Sequence, residues 1–96
     1  MSQPFDAKST LESLLGNQVV VDVKAPYVYI GILHTVGADA LVLADADVHP
    51  CEDSQSTREF YVLETKKNGI RANRRMVHVM RTEIVSVSRL TDVVDY

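Results

Sequence analysis

Apolar and polar residues along the chain form alternating runs separated by turn residues. Val19, Val21 and Val23 face one way and Gln18, Asp22 and Lys24 the other, which predicts a first strand over 18–24. Ala25-Pro26 turns the chain into a second strand, 27–36, apolar on both faces, with Gly31 at its centre. A mid-strand glycine marks a sharp bend or a close backbone approach, and a doubly buried, bent strand suits a small curved barrel. Gly37-Ala38-Asp39 is the next turn and 40–47 the third strand, where Leu41-Val42-Leu43 gives way to Asp45 and Asp47 as the strand leaves the core. A polar loop is expected over 48–56, with Pro50 ending the strand. Strands four (76–81) and five (84–88) are separated only by Thr82-Glu83, and 90–96 is a tail expected over the barrel rim.

Two segments carry helical signals. Over 8–15, Ser9 and Glu12 have capping-box spacing and Asp6 is a second N-cap candidate. Leu11, Leu14 and Leu15 form one stripe there, and Gly16 suits a left-handed C-terminal position. Between strands three and four, Ser56 and Glu59 repeat the capping box, Asn68-Gly69-Ile70 offers a helix end, and Phe60, Leu63 and Lys67 share a side. Against a helix, Phe60-Tyr61-Val62 has strand propensity and Asn68-Gly69 is also a hairpin signal. The helix is the favoured reading because both of its ends are signalled.

Ninety-six residues fit a single domain over 1–96, with a loose terminus at 1–7 and a variable insert at 49–75. A chain this short buries only roughly 60–70% of its unfolded surface, and many such domains gain stability by assembling. The composition is 46% hydrophobic and 24% charged, which is globular. With 6% aromatics and no Trp, a broad base-stacking platform is not expected. A net charge of −3 argues against electrostatic coating of nucleic acid, while leaving room for a local basic patch. That patch is visible: Lys66, Lys67, Arg71, Arg74, Arg75 and Arg81 fall within sixteen residues with no acid among them. They could line a phosphate-binding face, or form a solvated surface, or pair with a neighbouring subunit's Asp45, Asp47, Glu52 and Asp53.

Candidate chemistry is sparse. Cys51, the single cysteine, cannot form an internal disulfide, which points to a reducing compartment, and a nucleophile would need an organised base beside it. Asp45, Asp47, His49, Cys51, Glu52 and Asp53 are ligand types without a ligand spacing, so no metal and no cofactor is expected. His34 and His78 lie in apolar strands and read as structural histidines. No Gly-rich phosphate loop or nucleophile–histidine spacing is present, so no enzyme is expected. No apolar run approaches the roughly 20 residues of a membrane span, and the N-terminus has no signal region; the expectation is a cytoplasmic protein.

One helix followed by five short curved strands resembles the Sm/LSm family. Gly16, the Val19/Val21/Val23 run, Gly31-Ile32-Leu33 and Leu41-Val42-Leu43 match its first motif; Val79-Met80-Arg81-Thr82 followed by Ile84-Val85-Ser86-Val87-Ser88 matches its second. The resemblance implies a mainly β, Sm-like (SH3-like) five-stranded antiparallel barrel with an N-terminal helix and a helical insert between strands three and four. It also implies a homo-oligomeric ring, hexamer or heptamer, in which strand four of one subunit pairs with strand five of the next. The apolar edges that would meet hold Val77, Val79, Ile84, Val85 and Val87. RNA-binding members carry an Asp and an Asn in the loop before strand three and Arg-Gly after strand four. Here Ala40 stands at the Asn position, Gly37 at the Asp position with Asp39 shifted beside it, and Thr82 at the Gly, so only Arg81 carries over unchanged. The expected activity is non-catalytic binding of single-stranded RNA with weak base preference, through Arg81, Asp39 and the basic segment; the alternative is a ring scaffold for protein contacts, using 56–68, that has lost RNA binding.

Overall fold

The computed structural model describes residues 10–51 and 55–95, with the backbone alone for 55 and 56. Five strands form one antiparallel sheet: β1 (Gln18–Val23), β2 (Tyr27–Val36), β3 (Ala40–Pro50), β4 (Arg74–Met80) and β5 (Ile84–Arg89), with helix α1 (Gln55–Asn68) between β3 and β4. Their order is β4-β3-β2-β1-β5, so the two strands joined by only three residues lie at opposite edges. The sheet must therefore curl until its edges approach, which makes the layer a barrel.

Gly31 permits the curl. A Cβ at this position would lie 2.9 Å from the Cβ of Ala46, 3.0 Å from its Cα and 3.1 Å from the Ala44 carbonyl oxygen. Opposite it the β2–β3 register slips between Ile30 and Ile32, and Asp45 takes up the extra residue at φ 47°. A second slip, between Leu33 and Thr35, returns the register and turns His34 outward. The second bulge switches the face to which β2 sends its apolar side chains, so that Leu33 and Val36, three residues apart, pack on the same cluster, whereas before it the two faces of β2 alternate. Val28 and Ile30 join one cluster with Val20, Cys51, Val62 and Leu90; Leu33 joins the other with Val19, Val21, Val23, Leu41, Leu43 and Val79. The second of these fills the barrel, and α1 with the 3-10 turn at Leu90–Asp92 covers the first.

Several boundaries differ from the sequence reading. β3 continues to Pro50 where a polar loop is expected from 48, because β2 keeps pairing with it through Tyr27 and the Asn73 carboxamide bonds both the N–H and the carbonyl of Val48. β4 begins at Arg74, paired with Ala46, rather than at Met76. In place of an α-helix over 8–15, Thr10–Leu14 is a 3-10 turn; three residues per turn keep Leu11 and Leu14 against the barrel and leave Leu15 out, 44% exposed. Asp6 and Ser9 lie outside the described residues, as does the Ser56 side chain. The C-terminus of α1 closes with Gly69 at φ 95° and its N–H on the Thr65 carbonyl at 2.8 Å, the single-bond left-handed cap. Val93 packs on the outer cluster, so the start of the tail lies along the barrel. No helix among the described residues is long and apolar enough to cross a membrane.

Candidate nucleic-acid interface

The three residues between β4 and β5 are pinned from both sides. The Arg81 N–H donates to the Asp39 carbonyl at 2.9 Å, and the Lys24 N–H donates to the Glu83 carbonyl at 2.9 Å. The β2–β3 turn at 37–39, the β1–β2 turn and the 3-10 turn at Arg81–Glu83 thus share one end of the barrel. The Arg81 Nε donates to the Gly37 carbonyl at 2.8 Å. That bond uses one of the five guanidinium donors and aims the plane of the group, leaving four donors for an incoming acceptor. Arg81, Asp39, Lys24 and Thr82 are all exposed.

The other basic residues are not at this end. Arg74 pairs with Ala46 and Met80 with Ala40, so the length of β4, roughly 20 Å at ~3.3 Å per residue, separates Arg74 from Arg81. Lys66 donates to the Val93 carbonyl, tying α1 to the tail. The Arg74 guanidinium returns to the Asn73 carbonyl at 3.0 Å. Lys67, Arg71 and Arg75 are exposed around the helix C-terminus and the start of β4. The run that is continuous in sequence is split, with Arg81 beside Asp39 at one end of the barrel and Lys66, Lys67, Arg71, Arg74 and Arg75 in a separate basic region.

The two edge strands are unpaired among the described residues on their outer sides. On β4, Met76, His78 and Met80 are exposed, whereas Val79 is 3% exposed and part of the barrel core. Val77, Ile84 and Val87 are half-buried against that core, and Val85, at 67%, is the exposed member of the four edge valines and one isoleucine. The Val79 side chain thus packs in this chain's own interior.

A polar network that the sequence reading passes over joins β3 to α1. Asp47, 2% exposed, accepts a hydrogen bond from the Tyr61 hydroxyl, and His49 stacks on the Tyr61 ring with centroids 3.5 Å apart and planes 7° from parallel. Burial, then the Asp47 hydrogen bond and charge, push the Tyr61 phenol up to about 12, so it stays a donor at neutral pH. Asp47 and His49 alternate along β3, with Cys51 just past its end, the one signal in the sequence that could have revealed this packing. Arg58 of α1 pairs with Asp22 of β1 at 3.0 Å, and Ser86 of β5 donates to the other Asp22 oxygen. Asp47 is thus unavailable to a neighbouring subunit's basic residues.

The remaining candidates resolve individually. Asp45 is exposed at the bulge; Cys51 is buried, and burial raises its thiol pKa, with Arg58 opposing. The described residues contain no grouping of three or more metal-ligand side chains; Glu52 and Asp53 lie outside them. His34 and His78 are exposed rather than held in apolar surroundings: the bulge turns His34 out, where its Nδ1 meets the Thr35 hydroxyl at 2.7 Å, and His78 occupies the outward face of β4.

This arrangement has a counterpart among solved structures. An Sm protein from Pyrococcus abyssii, solved in complex with a uridine heptamer, superposes with a TM-score of 0.57 over 85% of this chain and 99% of that one, at 15% identity. The fold is Sm-like. No protein-family model and no curated protein matches the sequence. The Sm-like fold places the pinned Arg81–Glu83 turn and the two free edges in one frame: edge β4 leads directly into Arg81, and edge β5 leads away from Glu83.

Proposed function

We propose that this chain, a single Sm-like domain, assembles through β4 and β5 into a closed ring of six or seven copies. The ring binds single-stranded RNA without catalysis, in the cytoplasm. The observation that carries the reading is the pair of unpaired edges, β4 and β5, at opposite ends of one sheet. Unprotected edges are a liability for a lone domain, and edge β4 of one copy against edge β5 of the next makes a head-to-tail contact that can close. Each copy then presents Arg81, oriented by Gly37, beside Asp39 at the same end of its barrel. The solved Sm protein's uridine heptamer supports RNA as the ligand class. Ala40 stands where RNA-binding members of the Sm/LSm family carry the Asn that reads a base, and Thr82 where they carry the Gly after Arg, so the Arg81 end holds phosphates and bases with little selectivity. The basic residues at 66–75 form a separate region that the same strand could reach by wrapping around the barrel.

Oligo(U), oligo(A) and single-stranded DNA titrated at two salt concentrations test this reading. Affinity is expected to fall as salt rises, with a log–log slope of about −0.7 for each phosphate neutralised. Arg81→Ala is expected to weaken RNA binding about tenfold, the loss of one charge-assisted contact worth roughly 1.5 kcal/mol. It leaves the oligomer intact, because the Arg81 backbone bond to Asp39 remains. Equal binding by the variant contradicts the site. Phe60, 65% exposed on α1, favours one second reading, a ring scaffold that contacts protein through 56–68; absence of RNA binding at low salt selects it.

A further inference from the structure

We propose that the cavity at the C-terminal end of α1 is a subsite for one nucleobase carrying an exocyclic amino group, drawn from the same single-stranded RNA. The proposal rests on the RNA-binding reading for its polymer and on separate residues for its chemistry. The cavity, about 210 Å³, is lined by Tyr61, Glu64, Thr65, Asn68, Gly69 and Arg71. Pockets for drug-sized ligands run roughly 300–1,000 Å³, so this one suits a single planar ring.

Tyr61 supplies the flat wall. His49 covers one face of its ring and Asp47 holds its hydroxyl, so this cavity-lining residue is fixed before any ligand arrives. A fixed aromatic surface stacks any base, worth about 1–3 kcal/mol per base. Selection comes from the polar lining. The ionised Glu64 carboxylate only accepts hydrogen bonds. One of its oxygens accepts from the Asn68 Nδ2 at 3.2 Å, which orients both groups and leaves the other oxygen free to take an amino N–H. Asn68 keeps its carboxamide oxygen and a second N–H. An amino group beside a ring nitrogen, as in adenine or cytosine, complements that pair. Uracil offers one N–H flanked by two carbonyl oxygens, which a carboxylate repels. Arg71, exposed at the cavity rim, supplies a cation for the adjoining phosphate and offsets the charge of Glu64. Base preference would then arise in the α1 insert, roughly a β4 length from Arg81, rather than at the turn that lacks the Asn.

The test uses the full chain. Backbone amide NMR shifts are followed during titration with AMP, CMP and UMP, and binding of labelled ten-nucleotide oligo(A) and oligo(U) is measured for wild type, Glu64→Gln, Arg71→Ala and Arg81→Ala. Both cavity variants alter half-buried or exposed side chains, so folding is checked by their unchanged spectra outside the cavity. AMP and CMP are expected to move the amides of Tyr61, Thr65, Gly69 and Arg71, and UMP to leave them in place. Arg71→Ala is expected to weaken oligo(A) about tenfold, and Glu64→Gln to bring the oligo(A):oligo(U) affinity ratio close to one. Unmoved cavity amides, or an unchanged ratio in Glu64→Gln, overturns the subsite. If oligo(U) still binds in an Arg81-dependent way, the RNA reading survives that failure. If neither oligonucleotide binds, both fail together.

Discussion

Val79→Lys is expected to unfold the chain, whereas Val85→Lys is expected to leave the monomer folded and to abolish the proposed assembly. The two valines lie on the two edge strands and look alike in sequence, yet one is 3% exposed in the barrel core and the other 67% exposed. A lysine at 79 must desolvate an ammonium among Val19, Val21, Leu41 and Leu43 or expel it through a distorted barrel. Either outcome costs about 4 kcal/mol or more, a large share of the roughly 5–15 kcal/mol that holds a domain of this size together. At 85 a lysine meets water, and an exposed substitution shifts stability by only about 0.5 kcal/mol. Its effect falls on edge β5, where, in the proposed ring, like charges repeated around it would repel and block strand addition. Circular dichroism separates the two variants by fold and light scattering by mass. A folded Val79→Lys, or an assembled Val85→Lys, contradicts this division between core and edge.

Gly31→Val is expected to leave the chain unfolded or molten, and Gly31→Ala to lower its stability measurably in urea. The added Cβ lands within 3.1 Å of the backbone of Ala44 and Ala46, not of a side chain that could rotate away. Overpacking a tight site costs typically 1–3 kcal/mol, and branching at Cβ adds to it, so about 3 kcal/mol or more is expected for valine. Relief requires β2 and β3 to separate at the bend, which opens the barrel and frees both clusters that β2 joins. Gly31→Ala with wild-type stability would show that the close approach is not what bends the sheet.

The strands were legible because Val19, Val21 and Val23 alternate and because Gly31 breaks a run apolar on both faces; both signals are local, and the backbone honours them. What the sequence concealed depends on partners distant along the chain. β3 reaches Pro50 because Asn73, 25 residues from Val48, takes the place of a strand partner. Asp47 reads as a surface acid until Tyr61 of α1 is folded over it. The basic run from 66 to 81 reads as one patch because sequence proximity ignores that an extended β4 carries its ends apart. His34 reads as a structural histidine in an apolar strand, and the bulge beside it turns it outward. Of the RNA-binding candidates, Arg81 and Asp39 meet at one turn, and the partner that aims Arg81, the Gly37 carbonyl, is a backbone group no motif could name.

The central claim is that edges β4 and β5 join copies into a ring that holds RNA. Native mass spectrometry of the chain at micromolar concentration, with and without a single-stranded uridine oligomer, tests it directly. The expected result is one closed species of six or seven copies that gains the mass of bound RNA at low salt. A monomer at every concentration, or an open ladder of sizes with no RNA-bound peak, contradicts it.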